Sequence, residues 1–113
     1  MTESEFLLQA DGVLRTIETA LEQPAVLDLV DIECSRSGNV LEIEFVDNGS
    51  KIIVNSQAPM REMWVAAKSG GFHYKHDGQS WRNTRDNSEL FSALSAMISQ
   101  QGGAAVIVAG NLR

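Results

Sequence analysis

Between Ser4 and Glu22 the apolar positions Phe6, Ala10, Val13, Leu14, Ile17 and Leu21 recur at helical spacing and fall within one stripe. That pattern predicts an amphipathic helix. Ser4 is placed to cap its start, with Glu3 and Glu5 near the positive end of the dipole. Pro24 stops it, and Gln23 to Leu29 reads as the connecting loop. Asp11, Glu18 and Glu22 lie opposite the apolar stripe, close together in projection.

From Val30 to Asn83 the period changes to two. Val30, Ile32 and Cys34 alternate with Asp31, Glu33 and Ser35, then Leu41, Ile43 and Phe45 with Glu42 and Glu44. Ser37-Gly38-Asn39 and Asp47-Asn48-Gly49 are hairpin turns. Further strands are predicted over Ser50 to Asn55, Glu62 to Lys68 and Gly71 to Lys75, with a short sixth around Trp81. Connections this short, with no helix between strands, imply an antiparallel sheet.

A second helix is expected after Asp86-Asn87-Ser88-Glu89, which resembles a capping box with Asp86 as the cap. Its stripe is Leu90, Phe91, Leu94, Met97 and Ile98, and it ends at Gly102-Gly103. The apolar tail Ala104 to Ala109 is expected to lie back over the gap between the helices. The whole reads as a single α+β domain over residues 1–113. It is a two-layer α/β sandwich, with two helices on one face of a five- to six-stranded antiparallel sheet and the other face open.

One strand breaks the expected separation of apolar and polar positions. In Glu62 to Lys68, Met63, Val65 and Ala67 point one way, and Trp64 points the other way with Glu62, Ala66 and Lys68. Asn55 and Gln57 share the parity of Lys51, which places a polar patch close to that indole. An indole on the wet side of a sheet is either an interaction anchor or a side chain partly covered by a loop.

Charge narrows the partners. With 113 residues and a net charge of −6, the chain is poorly suited to nucleic acid, whose phosphates demand Lys and Arg. An acidic domain suits cations or a basic protein surface. No run is long and apolar enough to span a bilayer, so no membrane partner is expected. The first residues carry acids where a secretory signal carries bases, and the expected location is the cytoplasm. Cys34 is the single cysteine; its parity makes it an inward, structural thiol.

The acids cluster on the outer face of the first helix (Asp11, Glu18, Glu22) and on the following loop and first strand (Asp28, Asp31, Glu33). Clustered carboxylates are hard oxygen ligands suited to weak binding of Fe²⁺, Fe³⁺, Ca²⁺ or Mn²⁺. Edge strands also use charge simply to block sheet-to-sheet pairing. His73 faces solvent and His76 sits in a turn, without the spacing of a zinc site. No nucleophile elbow, glycine-rich phosphate loop or Glu-x-x-His pair occurs, so the residues give no case for an enzyme.

Asn-x-Gln-x-Pro from Asn55 to Pro59, then Trp64, Gly70-Gly71-Phe72-His73-Tyr74 and Trp81 resemble the frataxin family, most closely its bacterial branch. The run Asn48 to Ile53 adds to the likeness, which extends from Ser4 to about residue 98. The resemblance implies an iron-binding accessory protein of iron–sulfur cluster assembly that contacts the cysteine desulfurase and the scaffold. It implies weak, exchangeable Fe²⁺ or Fe³⁺ and no tightly held cofactor, in a monomer capable of iron-dependent oligomerisation. Carried over by position, the iron ridge is Glu18, Glu22, Asp28, Asp31 and Glu33, with Asp11 and Glu3 as outlying members. Glu18, Glu22, Asp31 and Glu33 also meet the desulfurase; Asn55, Gln57 and Trp64 form the partner-binding sheet face. Gln23-Pro-Ala-Val-Leu27 and Thr19 stand where bacterial members are more densely acidic, which lowers the expected iron capacity. The alternative is a generic protein-interaction domain using the Trp64 face, with no physiological iron binding.

Overall fold

The computed structural model describes residues 1–109. The first helix, α1 (Glu3–Leu21), is followed by a single turn, α2 (Pro24–Leu27). Six strands come next: β1 (Ile32–Ser37), β2 (Val40–Phe45), β3 (Lys51–Gln57), β4 (Glu62–Ala67), β5 (Gly70–His76) and β6 (Trp81–Asn83). A 3-10 turn, Ala58–Met60, links β3 to β4, and α3 (Leu90–Gly102) closes the order. Spatial order equals sequence order, and every neighbouring pair is antiparallel. The meander expected from the short turns is therefore the fold.

Alternation along the strands sends Leu41, Ile43, Ile52, Val54, Met63 and Val65 to one face, all 2% exposed or less. Both long helices cover that face. Phe6 of α1 meets Trp81 of β6 edge-on, with ring centroids 5.9 Å apart. Leu90, Leu94 and Ile98 of α3 are fully buried. Fully burying such side chains is worth about 1.5–3 kcal/mol each, so this shared apolar layer dominates the stability.

Several local expectations are corrected. Thr2, not Ser4, caps α1: its hydroxyl accepts from the Glu5 amide at 3.1 Å while the Glu5 carboxylate accepts from the Thr2 amide at 3.1 Å. Thr-x-x-Glu is a reciprocal capping box, which satisfies two orphan amides where Ser4 would satisfy one. Pro24 does not simply end structure, since it opens α2 at the first helical position, where its missing N–H costs nothing. Glu89, not Asp86, caps α3, accepting from the amides of Phe91 at 2.7 Å and Ser92 at 3.0 Å. Asp86 instead closes the preceding turn on the Ser88 amide and hydroxyl.

The apolar tail runs back along α3. The Val106 amide donates to the Ser99 hydroxyl at 2.8 Å and the Val108 amide to the Ser95 hydroxyl at 2.8 Å, with both valines buried. Two serines one helical turn apart thus serve as a hydrogen-bonding edge for an extended segment.

At the end of α3 a Cβ on Gly102 would stand 2.6 Å from Val30 Cγ1 and 3.3 Å from Phe45 Cε1. Gly102→Ala is expected to cost about 1–3 kcal/mol by overpacking, more than alanine's helix propensity returns. Denaturant unfolding reads this directly. An unchanged midpoint would show that Val30 yields without cost.

Candidate functional site

Two surfaces emerge, one at the α1–β1 edge and one around Trp64 on the open face of the sheet. The first lies where α1 passes the edge strand β1. Arg36 has the inner parity of Ile32, and beyond Ile32 the inner side of β1 meets the flank of α1 instead of the apolar core. Its guanidinium pairs with Asp11 and lies 3.1 Å from Glu18. Arg15, one turn along α1, also pairs with Asp11. Hydrogen bonds from Arg15 and then Arg36 hold the Asp11 carboxyl below its usual range. Asp11 and Glu18 are therefore on the flank facing β1, not on the outward face expected from the helical projection. Both already have internal counter-ions.

Glu22, Asp28, Asp31 and Glu33 are exposed and make no ion pair among the described residues. Glu22 is the C-cap of α1, whose last turn carries no basic residue, so its charge adds to the negative end of the helix dipole. Asp28 caps α2. Glu33 stands directly opposite Glu44 across the β1–β2 ladder, a like-charge pair that concentrates negative potential. Among the described residues, no three His, Cys, Asp or Glu side chains converge to form a metal shell. The chemistry available is attraction of cations by hydrated carboxylates, not encapsulation.

Cys34 corrects another expectation. It has inner parity but is exposed, because it lies beyond the reach of the core at the sheet edge. Its thiol is nevertheless pushed up to about 11, first by partial loss of water and then by the charges of Glu18 and Glu22. It is a protonated thiol at neutral pH, unsuited to nucleophilic or ligand chemistry.

The second surface is the open face of the sheet. Register places Asn55 opposite Trp64 and Trp64 opposite His73, and it places Gln57 opposite Glu62 and Glu62 opposite Lys75. The residues expected to form a polar patch beside the indole are thus brought together. Trp64 is half-buried, and His73 lies against its ring. The two rings stack with centroids 4.3 Å apart and 5° between planes. The Trp64 Nε1–H donates to Glu62 Oε1 at 2.8 Å. Glu62, His73 and Lys75 did not figure as site residues in the sequence reading. Their strand parity was visible, but the cross-strand register that assembles them was not.

The surfaces differ in charge. Eleven of the fifteen acidic residues lie within the first fifty positions, whereas six of the nine Lys and Arg lie between 51 and 85. Because the sheet runs in sequence order, this division along the chain becomes a division in space. The α1–β1 edge is strongly negative, and the β3–β6 region carries an excess of Lys and Arg over Asp and Glu.

An acidic edge and a tryptophan-bearing open face, on a six-stranded meander backed by two helices, define the class of protein. Residues 1–104 match the frataxin-like domain, and the chain belongs to the frataxin-like family. The iron-sulfur cluster assembly protein CyaY of Herminiimonas arsenicoxydans is 67% identical over 108 residues, covering 96% of each chain. The frataxin of Psychromonas ingrahamii has the same structure at a TM-score of 0.85, with 31% identity, over 96% of this chain and 99% of that one. Trimeric frataxin from the yeast Saccharomyces cerevisiae, complexed with ferrous, aligns at a TM-score of 0.63 over 91% of this chain and 88% of that one. At 22% identity that likeness is one of fold.

Cys34 offers a direct check of the potential at the edge. At about pH 7.5 its alkylation by iodoacetamide is expected to run roughly two orders of magnitude slower than that of free cysteine, despite exposure. The rate climbs with pH up to about 11, where the thiol ionises. Replacing Glu18 and Glu22 with Gln raises the rate at a given pH. A rate matching free cysteine would contradict the described environment.

Proposed function

We propose that this protein is an accessory, regulatory component of bacterial iron–sulfur cluster assembly that acts in the cytoplasm. It takes up Fe²⁺ or Fe³⁺ weakly, as exchangeable cargo, on its acidic edge. The same edge docks on a basic surface of the cysteine desulfurase, and the Trp64 face engages the scaffold–desulfurase assembly. Kinship with proteins named for iron–sulfur cluster assembly supports the pathway. The observation that carries the mechanism is a group of exposed acids with no ion pair among the described residues, Glu22, Asp28, Asp31 and Glu33, which lie from the end of α1 through α2 to the start of β1. Exposed carboxylates keep much of their water, so affinity is modest and release is easy. The role is one of binding and delivery, not catalysis.

A second reading, a protein-interaction domain without physiological iron, is favoured by one observation: Arg36 and Arg15 already occupy Asp11 and Glu18. Titration with Fe²⁺ under anaerobic conditions, followed residue by residue by NMR, separates the two. Under the iron reading, amide signals broaden first at Glu22, Asp28, Asp31 and Glu33, at micromolar or weaker affinity, and only later at Asp11 and Glu18. Broadening that begins at His73 and His76 would mean the ridge is misplaced, and no broadening beside intact desulfurase binding would leave the second reading.

Desulfurase binding is expected to weaken as salt rises, since exposed charges are screened over about 10 Å at 0.1 M. Changing Glu22, Asp28, Asp31 and Glu33 together to Lys is expected to abolish it without unfolding the domain. Persistence of salt-insensitive binding in that variant would overturn the electrostatic account.

A further inference from the structure

On the open face of the sheet one charged side chain is withdrawn from water. Glu62 is 5% exposed, although strand alternation places it outside, beside Trp64. Trp64 and His73 stand beside it, and Gln57 and Lys75 lie opposite it on the neighbouring strands. Removing a carboxylate from water is costly unless its oxygens are partnered. Here Oε1 accepts the Trp64 Nε1–H at 2.8 Å and lies 3.4 Å from His73 Nδ1, while Oε2 lies 3.9 Å from Lys75 Nζ. The only close, direct hydrogen bond of the three is the one to the indole.

That bond has a geometric consequence. The stack on His73 fixes the plane of the Trp64 ring, and the Nε1 bond fixes which edge of the ring turns toward β4 and which turns toward solvent. A side chain with two rotatable bonds is then held in one orientation before any partner arrives. Holding an anchor in its bound orientation removes part of the ordering cost of association.

We infer that Glu62 is a positioning residue of the Trp64 docking face: its carboxylate holds the indole flat on His73 in the orientation the partner meets. This rests on the reading above, in which Trp64 contacts the scaffold–desulfurase assembly. Glu62 itself acts through Trp64 and need not touch the partner. The acceptor atom does the positioning, so a neutral amide at this position is expected to serve in its place.

The test compares Glu62→Gln, which keeps an acceptor, with Glu62→Met, which keeps the volume and loses it, and with Glu62→Ala and Trp64→Ala. Two quantities are measured: the indole Nε1–H signal of Trp64, assigned by its loss in Trp64→Ala, and affinity for the purified scaffold–desulfurase complex. The expected result is a shifted, faster-exchanging indole proton in Glu62→Met and Glu62→Ala, with affinity reduced about tenfold, the value of one lost hydrogen bond. Glu62→Gln restores both to near the starting values. Should the alanine variant fail to fold, the Met and Gln variants carry the comparison alone. An indole signal and affinity unchanged in Glu62→Met would overturn the inference, leaving Glu62 a purely stabilising group. So would Glu62→Gln binding as poorly as Glu62→Met while its indole signal is normal, because charge and not positioning would then matter. If Trp64→Ala itself binds undiminished, the reading of the face fails, and the indole signal alone still decides whether Glu62 holds the ring.

Discussion

Both long helices have a single place to bury their apolar stripes, the inner face of the sheet, and most other features of the molecule follow from that sharing. With α1 and α3 side by side on one face, the opposite face of six strands stays open to solvent. Every strand is then divided by parity into core and surface positions. A one-residue slip of any strand would exchange the two sets, so the register that fills the core also decides which side chains the open face presents. Stability and display are set by the same constraint.

The edge strand shows where the constraint ends. Along β1, Ile32 is buried in the core, but the next inward positions, Cys34 and Arg36, lie beyond the apolar layer and beside the flank of α1. Arg36 answers the acids on that flank, and its pairing divides the acidic residues into two groups. Asp11 and Glu18 are internally compensated, whereas Glu22, Asp28, Asp31 and Glu33 present their charge to the surroundings. A carboxylate with its own arginine contributes less to an external cation than its position on a helix suggests. The useful negative potential therefore sits toward the end of α1 and the start of β1.

On the open face, aromatic stacking and one buried carboxylate give a solvent-facing sheet surface the order usually confined to cores. Trp64 is neither an unsupported exposed indole nor a core residue. Its inner side rests on His73 and its N–H is bonded to Glu62. Separation from the acidic edge across the width of the sheet lets one small domain carry two surfaces of different character.

The sequence by itself determined the element order, the meander, the apolar stripes, the open face and the membership of Trp64, Asn55 and Gln57 in it. These depend on periods of two and of 3.6 and on turn residues, which are local and written directly along the chain. It missed the caps at Thr2 and Glu89, since neighbouring Ser4 and Asp86 carry equally suitable side chains and only backbone geometry selects between them. Tertiary structure alone decided the exposure of Cys34, the pairing of Arg36 with Asp11 and Glu18, and the burial of Glu62 beside Trp64 and His73. Parity states which side of a strand a residue is on, but not what lies opposite. That depends on how far the helices reach over the sheet edge and on which residues of neighbouring strands stand in register, both of which are set by packing between segments distant in sequence.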